Sequence, residues 1–366
     1  MSKRSILYVF RRPVTKEIEN AYQHDSPRDI FYGLTEINKY CAVKVSDKVF
    51  KSRTLLFSQH LLNIFVTKFI TLGFSLFPAI YLLKDLNRSD IIFATVDTYG
   101  LPIALLKFLK LVRKPLVFNT IGLYDGLLTM KNPLILYFYQ QILRAVDHFV
   151  AGGSFQECKK LAMMLKFPLS KFSFIPFGID TDFFTPKKIL SNNEILIIGA
   201  DPSRDWQLYA KIARNFPQET FRVVTYPYIV KHDMPKNVVF EYNLSYLDLR
   251  QRIWEAKYLL ILSKFNYHFA GQSTAMRAMS CGKAVIFTES PGVEEYQFQN
   301  LVHCLKVPVS DEYAVYKAIH FLNTYQAKRS KIERNARRII VESYSIEKYG
   351  QKLRAVFDQI KMELHG

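Results

Sequence analysis

A short polar turn at the predicted start of a helix is the first feature of this 366-residue chain that indicates binding chemistry. The turn consists of Gly271, Gln272, Ser273 and Thr274, and the predicted helix covers residues 273–280. Ser and Thr at a helix start can cap free backbone N–H groups. A helix start also carries the positive end of the helix dipole, which attracts phosphate. We interpret the turn as a phosphate site, with a purely structural cap as the alternative.

Two aspartates that follow predicted buried strands are further candidate site residues. Residues 90–95 (DIIFAT) precede Asp97, and residues 115–119 (PLVFN) lead into the turn that contains Asp125. Ligands of doubly wound parallel sheets bind beyond the carboxyl ends of the strands. Asp97 and Asp125 are therefore candidates for a site in the first half of the chain, and a helix cap or a turn is the alternative role for each.

Strands alternate with helices along the whole chain, which predicts an α/β fold with parallel sheets. A length of 366 residues fits two domains, and the polar stretch 187–193 is the predicted linker. The predicted strands before the linker are 5–10, 42–45, 90–95, 115–119, 148–151 and 174–177, with helices at about 25–39, 101–111, 134–146 and 155–165. The predicted strands after it are 194–198, 221–226, 237–242, 258–262 and 284–288, and helices at about 311–322, 328–343 and 346–364 close the chain.

The chain is strongly basic. It has 50 Lys and Arg against 32 Asp and Glu, a net charge of +18. Such a surface attracts nucleic acid, anionic lipid or phosphorylated small molecules. The sequence has no zinc-finger spacing and no RNA-binding aromatic signature, so nucleic acid receives no specific support. The four Cys form no C-x-x-C pair and the start of the chain does not read as a signal peptide, which favours the cytoplasm.

A long apolar region lies in the first half of the chain. Residues 54–67 and 69–83 contain no Asp, Glu, Lys or Arg, and Lys51, Arg53 and Lys84 flank them. Each run is shorter than the about 20 residues that a membrane-spanning helix needs. Two interpretations stay open: helices packed on a sheet, or an apolar face with a basic rim that rests on a membrane.

Four segments in a fixed order resemble a known family. They are residues 174–186 (FIPFGIDTDFFTP), residues 197–204 (IIGADPSR), residues 278–286 (AMSCGKAVI) and residues 291–295 (PGVEE). In this order and spacing they resemble the GT-B glycosyltransferases, particularly the large retaining family 4. The resemblance covers about residues 147–349, a little more than half of the chain.

This resemblance implies two Rossmann-like doubly wound domains that face each other across a cleft. Residues 1–186 would bind the acceptor and residues 187–345 the donor, a nucleotide-diphosphate sugar, while a last helix at about 346–364 would pack back on the first domain. The implied activity is retaining transfer of a sugar to a glycan or lipid-linked acceptor, in the synthesis of cell-surface polysaccharide or lipopolysaccharide. It implies neither a cofactor nor a metal, and it fits a position at the inner face of an anionic cytoplasmic membrane.

Sugar transfer produces a nucleoside diphosphate, so its main demand is stabilisation of negative charge. Arg204 is the leading catalytic candidate, because a guanidinium can bridge phosphate oxygens in two-point geometry. The alternative for Arg204 is a surface side chain paired with Asp201 or Asp205.

The remaining donor-side candidates surround the same predicted turns. Gly199 and the backbone of residues 271–274 would hold the diphosphate. His268 is a candidate contact to the sugar. Glu295 is a candidate to bind sugar hydroxyls, with a helix cap as its alternative role.

The chain departs from the family pattern at three positions. The family often has two Glu eight positions apart, and these positions are occupied here by Phe269 and Arg277. Because Arg cannot accept a hydrogen bond, Arg277 would contact phosphate or face solvent instead. The usual His of the first domain aligns with Ile121. Three alternatives stay open: a sugar-nucleotide epimerase on the same fold, a catalytically degenerate scaffold, which these losses favour, or a basic nucleic-acid-binding protein.

Overall fold

The computed structural model describes residues 4–46, 53–67, 72–229 and 233–365, and it contains two parallel six-stranded sheets with flanking helices. This confirms the predicted α/β fold class. Close contacts divide the chain into two units. The first comprises Met1–Glu19, Phe31–Pro176 and Tyr349–Gly366, and the second comprises Asn20–Ile30 and Phe177–Lys348. The division before Phe177 precedes the linker predicted at 187–193.

The sheet of the first unit is built from short strands, and its four inner strands are apolar and buried on both faces, as is usual for parallel strands covered by helices. Its strands are β1 (Ser5–Val9), β2 (Ala42–Val45), β3 (Ile91–Ala94), β4 (Leu116–Thr120), β5 (His148–Ala151) and β6 (Phe172–Phe174), in the order β2-β1-β3-β4-β5-β6. The strand predicted at 174–177 is wrong in its bounds, since β6 ends at Phe174 after pairing with β5.

The helices of the first half differ in several places from the prediction. They are α1 (Thr15–Tyr22), α2 (Leu34–Ile37), α3 (Arg53–Thr67), α4 (Leu76–Tyr81), α5 (Leu83–Arg88), α6 (Asp97–Phe108), α7 (Leu123–Leu128), α8 (Pro133–Leu143) and α9 (Phe155–Leu165). A continuous helix at 25–39 is wrong, because Tyr32 and Gly33 take the left-handed conformation that breaks a right-handed helix. Helix α6 begins at Asp97 instead of residue 101, although Pro102 lies inside it.

Pro102 is tolerated within α6 for a local reason. Proline has no N–H to donate to the carbonyl four residues earlier. That carbonyl belongs to Thr98, and it accepts a hydrogen bond of 2.9 Å from the backbone N–H of Ser75. The helix can therefore extend back to Asp97 without leaving a carbonyl unpaired.

The sheet of the second unit has the same doubly wound pattern. Its strands are β7 (Ile195–Ile198), β8 (Phe221–Thr225), β9 (Val238–Tyr242), β10 (Tyr258–Ile261), β11 (Val285–Thr288) and β12 (Leu305–Val307), in the order β12-β11-β10-β7-β8-β9. The three-residue edge strand β12 is not predicted from the sequence, because so short a run has no readable period.

Helices of the second half follow the prediction closely. They are α10 (Trp206–Asn215), α11 (Tyr246–Glu255), α12 (Gln272–Ser280), α13 (Pro291–Glu294), α14 (Glu312–Thr324), α15 (Gln326–Ser343) and α16 (Ile346–His365). An apolar core that includes Ile195, Trp206, Tyr258 and Ile286 lies between the second sheet and its helices.

Most of α16 belongs to the first unit. The side chain of Arg4 donates a hydrogen bond of 2.8 Å to the carbonyl of Phe357. The ring of Phe357 packs edge-on against Phe93 of β3, with ring centres 5.6 Å apart. Within the described part of the chain, no helix combines the length and the apolar character needed to cross a membrane.

Candidate functional site

A buried guanidinium lies at the carboxyl end of the second sheet. Gly199 directly follows β7, and Gly271 precedes α12 with a φ of 82°. A Cβ atom on Gly199 would come within 2.6 Å of the Arg204 Nε, and one on Gly271 would come within 2.7 Å of its Nη1. Only glycine leaves room for the guanidinium at these two positions. The structure thus brings Gly199, Arg204 and Gly271 together.

Arg204 is held by neutral groups. Its Nη1 donates to the Ser263 hydroxyl at 3.3 Å and to the Ala270 carbonyl at 3.5 Å, and its Nη2 donates to the Ile198 carbonyl at 3.2 Å. Arg204 is 2% exposed, and its Nε has no hydrogen-bond partner among the described residues. A buried cation that is held only by a hydroxyl and carbonyls keeps a strong attraction for an anion.

The alternative of a surface Arg204 paired with Asp201 or Asp205 is wrong. Asp205 caps α10, where its side chain accepts a hydrogen bond of 3.0 Å from the backbone N–H of Leu208. Asp201 accepts from the backbone and the hydroxyl of Ser203, at 2.8 Å and 2.6 Å. Both carboxylates therefore stabilise the turn that places Arg204.

Helix α12 starts beside the guanidinium without a side-chain cap. Its N-cap residue is Gly271 in the left-handed conformation, and Ser273 and Thr274 lie within the first turn. The predicted capping by Ser273 or Thr274 is therefore wrong, because both residues come after the cap position. Gln272, Ser273 and Thr274 are all half-buried. The helix start next to Arg204 carries its partial positive charge at the position predicted to bind phosphate.

His268 lies beside Asp201, with 3.5 Å between the His268 Nε2 and the Asp201 carboxylate. Burial raises the pKa of Asp201, but hydrogen bonds from His268 and Ser203 outweigh it and hold the pKa well below its usual range. The backbone of His268 is fixed as well, since its carbonyl accepts from the Ser290 hydroxyl at 3.1 Å. His268 is thus attached to the turn that carries Arg204.

Phe269 occupies one of the positions where the resembled family often has Glu. It is buried, and its ring contacts the rings of Phe287, Tyr296 and Phe298. A Cβ atom on Gly292 would lie 2.5 Å from the backbone nitrogen of Phe269, so the next turn packs directly against this segment. Phe269 therefore packs into an aromatic cluster and presents no polar group before α12.

Arg277 occupies the other of these positions, and it is neither exposed nor facing solvent. Its guanidinium binds both oxygens of Asp29, at 2.6 Å and 3.2 Å. The side chain of Arg277 is 11% exposed and that of Asp29 is 0% exposed. Burial raises the pKa of Asp29, while the charge of Arg277 opposes that rise. The sequence carries no signal for this pair, because 248 positions separate its members.

Two further candidates, one on the proposed donor side and one on the proposed acceptor side, lie at short helices. Glu295 directly follows the short helix α13 as its C-cap residue, and it is half-buried. Asp125 lies in the first turn of α7 and is also half-buried.

Asp97 is the buried carboxylate of the first unit. It accepts hydrogen bonds from the backbone N–H groups of Gly122 at 2.9 Å and Ile121 at 3.2 Å. Burial raises the pKa of Asp97 to about 6, against the opposing effect of these two backbone hydrogen bonds. Asp97 therefore ties the start of α6 to the turn after β4, at the carboxyl edge of the first sheet.

The fold defined by these two doubly wound sheets, with the glycine-bounded guanidinium at the edge of the second, is GT-B. Anabaena HepE in complex with UDP-glucose matches with a TM-score of 0.68 and 15% identity, over 97% of this chain and 99% of that one. Sucrose-phosphate synthase from Thermosynechococcus elongatus matches with a TM-score of 0.70 and 14% identity, over 99% and 100%. The lipopolysaccharide outer core galactosyltransferase WaaB matches with a TM-score of 0.58 and 10% identity, over 97% and 99%.

Comparisons of sequence add nothing to this result. No protein-family model matches the chain, and no curated protein matches it. The similarity to the solved structures therefore concerns the fold alone.

Proposed function

We propose that this protein is a glycosyltransferase that moves a sugar, with retention of configuration, from a nucleotide-diphosphate sugar to a glycan or lipid-linked acceptor. The observation that carries the proposal is the buried guanidinium of Arg204, packed against Gly199 and Gly271 at the start of α12. A leaving diphosphate supplies the anion that this group lacks among the described residues.

The reaction has a simple balance of atoms. The bond between the sugar's anomeric carbon and the diphosphate oxygen breaks, a bond to the acceptor hydroxyl oxygen forms on the same face, and the leaving phosphate takes the hydroxyl proton. The guanidinium of Arg204 and the N–H groups at the start of α12 stabilise the charge that grows on the diphosphate. With these groups in place the reaction needs no metal, and we propose that it uses none.

The fold neighbours support this choice of donor. HepE is described in complexes with UDP-glucose, with UDP and glucose, and with UDP. WaaB is described as a lipopolysaccharide outer core galactosyltransferase. For this chain we correspondingly propose that the donor is a nucleotide-diphosphate sugar and that the product belongs to cell-surface glycan synthesis. His268 and Glu295 are the proposed contacts to the sugar, and Asp97 and Asp125 are the proposed acceptor-side residues.

An exposed apolar helix supports a peripheral position at the inner face of the cytoplasmic membrane. On α3, Phe57, Leu61, Ile64 and Phe65 are 47–63% exposed. Residues spaced three and four apart lie on one face of a helix, so these side chains form one apolar stripe. An apolar stripe on a protein of charge +18 matches the surface of an anionic membrane.

The donor site can be tested by thermal unfolding with UDP, GDP, ADP, CMP and TDP, each with and without Mg²⁺. A ligand that binds the folded state raises the melting temperature. We expect one nucleotide to raise it without metal, and Arg204→Lys and Arg204→Gln to remove the rise. Arg214→Gln, an exposed change on α10, is the control that should keep it.

The results distinguish the alternatives. A flat panel for the wild-type chain would favour a degenerate scaffold, and steep salt-dependent binding of RNA or DNA would then favour a nucleic-acid-binding protein. Nucleotide-sugar turnover without any acceptor would favour an epimerase. A nucleotide response that Arg204→Lys and Arg204→Gln leave intact would contradict the assigned site, provided that both variants unfold cooperatively.

A further inference from the structure

A pocket of about 320 Å³ opens at the carboxyl edge of the first sheet. It lies between the turn that follows β1, which contains Arg11 and Arg12, and the helices α3 and α4. Leu56 of α3, Tyr81 of α4 and Tyr99 of α6 contribute its apolar and aromatic walls. Ligands of doubly wound sheets bind at this edge. None of the residues proposed above to contact the donor or the acceptor is among those that line this pocket.

The wall formed by α3 is fixed by buried hydrogen bonds. The side-chain amide of Gln59 donates to the Phe74 carbonyl at 2.6 Å and accepts from the Phe77 N–H at 3.1 Å. Asn63, one turn further along, accepts from the Phe74 N–H at 3.0 Å. The polar stripe of α3 thus holds the segment before α4, and its apolar stripe is left exposed. These hydrogen bonds connect the two helical walls of the pocket, so its shape is fixed within the first unit.

The mouth of the pocket is cationic. Arg11 and Arg12 are both exposed, and none of the described lining residues is acidic. Arg12 approaches Glu17 only to 3.7 Å, with its side chain 69% exposed, so this contact neutralises little of its charge. Two guanidinium groups match the charge of a phosphate monoester, which is about −1.5 to −2 at neutral pH.

The apolar wall continues onto the exposed face of α3. Leu56 lines the pocket and is itself 46% exposed, and Phe57 and Leu61 extend the apolar surface outward. A ligand that places its charge at Arg11 and Arg12 would therefore find apolar surface beside it. This combination of a cationic mouth and a continuing apolar surface suits an anionic amphiphile better than a free sugar.

We propose that this pocket binds the phosphate and the first methylene groups of a phosphorylated lipid that carries the acceptor. The inference rests on the proposed glycosyl transfer and names the acceptor class. Arg11 and Arg12 bind the phosphate, while Leu56 and Tyr81 contact the start of the chain. The exposed stripe of α3 then lies where the rest of the lipid enters the membrane.

The test is calorimetric titration of the full chain with decyl phosphate below its micelle concentration. Inorganic phosphate and uncharged decyl maltoside are titrated in parallel. We expect decyl phosphate to bind most tightly, and R11Q/R12Q to weaken it by roughly tenfold or more, the factor that corresponds to about 1.4 kcal/mol. Leu56→Gln should weaken decyl phosphate and leave inorganic phosphate unchanged.

A charge-matched control lies at the opposite edge of the same sheet. Arg113 and Arg144 line an open basic groove near the amino ends of β4 and β5. R113Q/R144Q removes the same charge as R11Q/R12Q and should leave decyl phosphate binding unchanged. Equal losses in both double variants would show that net charge alone attracts the ligand, and would overturn the proposal. Equal binding of decyl maltoside, or of inorganic phosphate, would overturn it too.

The nucleotide panel separates this inference from the function on which it rests. If a nucleotide stabilises the chain through Arg204 but decyl phosphate does not bind, the result contradicts lipid-phosphate binding in the pocket and still supports glycosyl transfer. If decyl phosphate binds through Arg11 and Arg12 while the nucleotide panel is flat, the pocket stands as a lipid-binding site and the transferase proposal falls. R11Q/R12Q should keep the wild-type nucleotide response in the first case.

Discussion

At the scale of single residues, the proposed donor site depends on glycine as much as on arginine. Arg204 can lie under the start of α12 only because Gly199 and Gly271 have no side chains. Its burial strengthens its attraction for an anion, since the low local dielectric increases every charge interaction. Burial of the Arg204 charge among a hydroxyl and carbonyls costs free energy. An anionic ligand that binds the guanidinium would offset part of this cost.

Substitution of Gly271 is expected to damage both stability and binding. A left-handed φ of 82° costs an ordinary residue about 1–2 kcal/mol, and a new Cβ would also displace the Arg204 guanidinium. Urea unfolding of Gly271→Ala should show at least this loss, together with a weaker nucleotide response. Gly152→Ala is the control, because a Cβ there meets no atom closer than 3.8 Å. Unchanged nucleotide binding in Gly271→Ala would contradict the proposed position of the diphosphate.

Asp97 gives a prediction about pH. Its pKa rises from an ordinary value near 3.8 to about 6 in the folded chain, so the folded state holds the proton more tightly than the unfolded state. The stability that this carboxyl group contributes is complete below pH 4 and is lost as the pH rises towards 6 and beyond. The free energy of unfolding of the wild type, minus that of Asp97→Asn, should fall over this range in urea titrations. A difference that is independent of pH would contradict the raised pKa.

At the scale of helices and segments, Asn20–Ile30 is an unusual part of the second unit. Arg28 donates to Asp180 through its Nε at 3.0 Å and its Nη2 at 2.8 Å, and the next residue, Asp29, pairs with Arg277 of α12. Two adjacent residues of opposite charge thus fix this segment to residues far along the chain. Arg277 stabilises the position of α12 by this contact.

The ion pair of Asp29 with Arg277 can be separated experimentally from a role in donor binding. Removing one partner leaves a buried charge unpaired, which typically costs 3–5 kcal/mol. We expect Arg277→Gln and Asp29→Asn each to lose roughly this much in urea unfolding, and the double variant to lose less than the sum of the two. A large loss of nucleotide affinity in Arg277→Gln, with stability retained, would instead support the predicted contact between Arg277 and phosphate.

Helix α3 gives a second prediction at this scale. If its apolar stripe rests on a membrane, Phe57→Asp/Phe65→Asp should abolish binding to phosphatidylglycerol vesicles at raised salt, where charge attraction alone is screened. Leu134→Asp/Met163→Asp is the control, because both side chains are more than 70% exposed on other helices, α8 and α9. Vesicle sedimentation measures the binding. No binding of the wild-type chain even at low salt would contradict a membrane role.

At the scale of the whole molecule, the sequence predicts strands and helices but not the contacts between residues that are far apart along the chain. The strands and most helices follow from runs such as 258–262 and 284–288, because burial and period are properties of neighbouring residues. Gly199, Arg204 and Gly271 are all predicted to contact the diphosphate and lie together in the structure, but the burial of Arg204 depends on a left-handed glycine. The partner of Arg277 could not be predicted at all, since Asp29 lies 248 positions away.

This distant pairing makes each unit discontinuous in the sequence, and that has a measurable consequence. A fragment of residues 177–366 contains the second sheet but lacks Asn20–Ile30, so Asp180 and Arg277 lose their ion-pair partners. We expect the fragment alone to unfold at a lower temperature than the full chain and to show no nucleotide response. Co-expression with residues 1–176 supplies the missing segment and should restore both. A fragment that unfolds cooperatively at the temperature of the full chain, with the same nucleotide response, would show that the two Arg–Asp pairs are dispensable for the donor site.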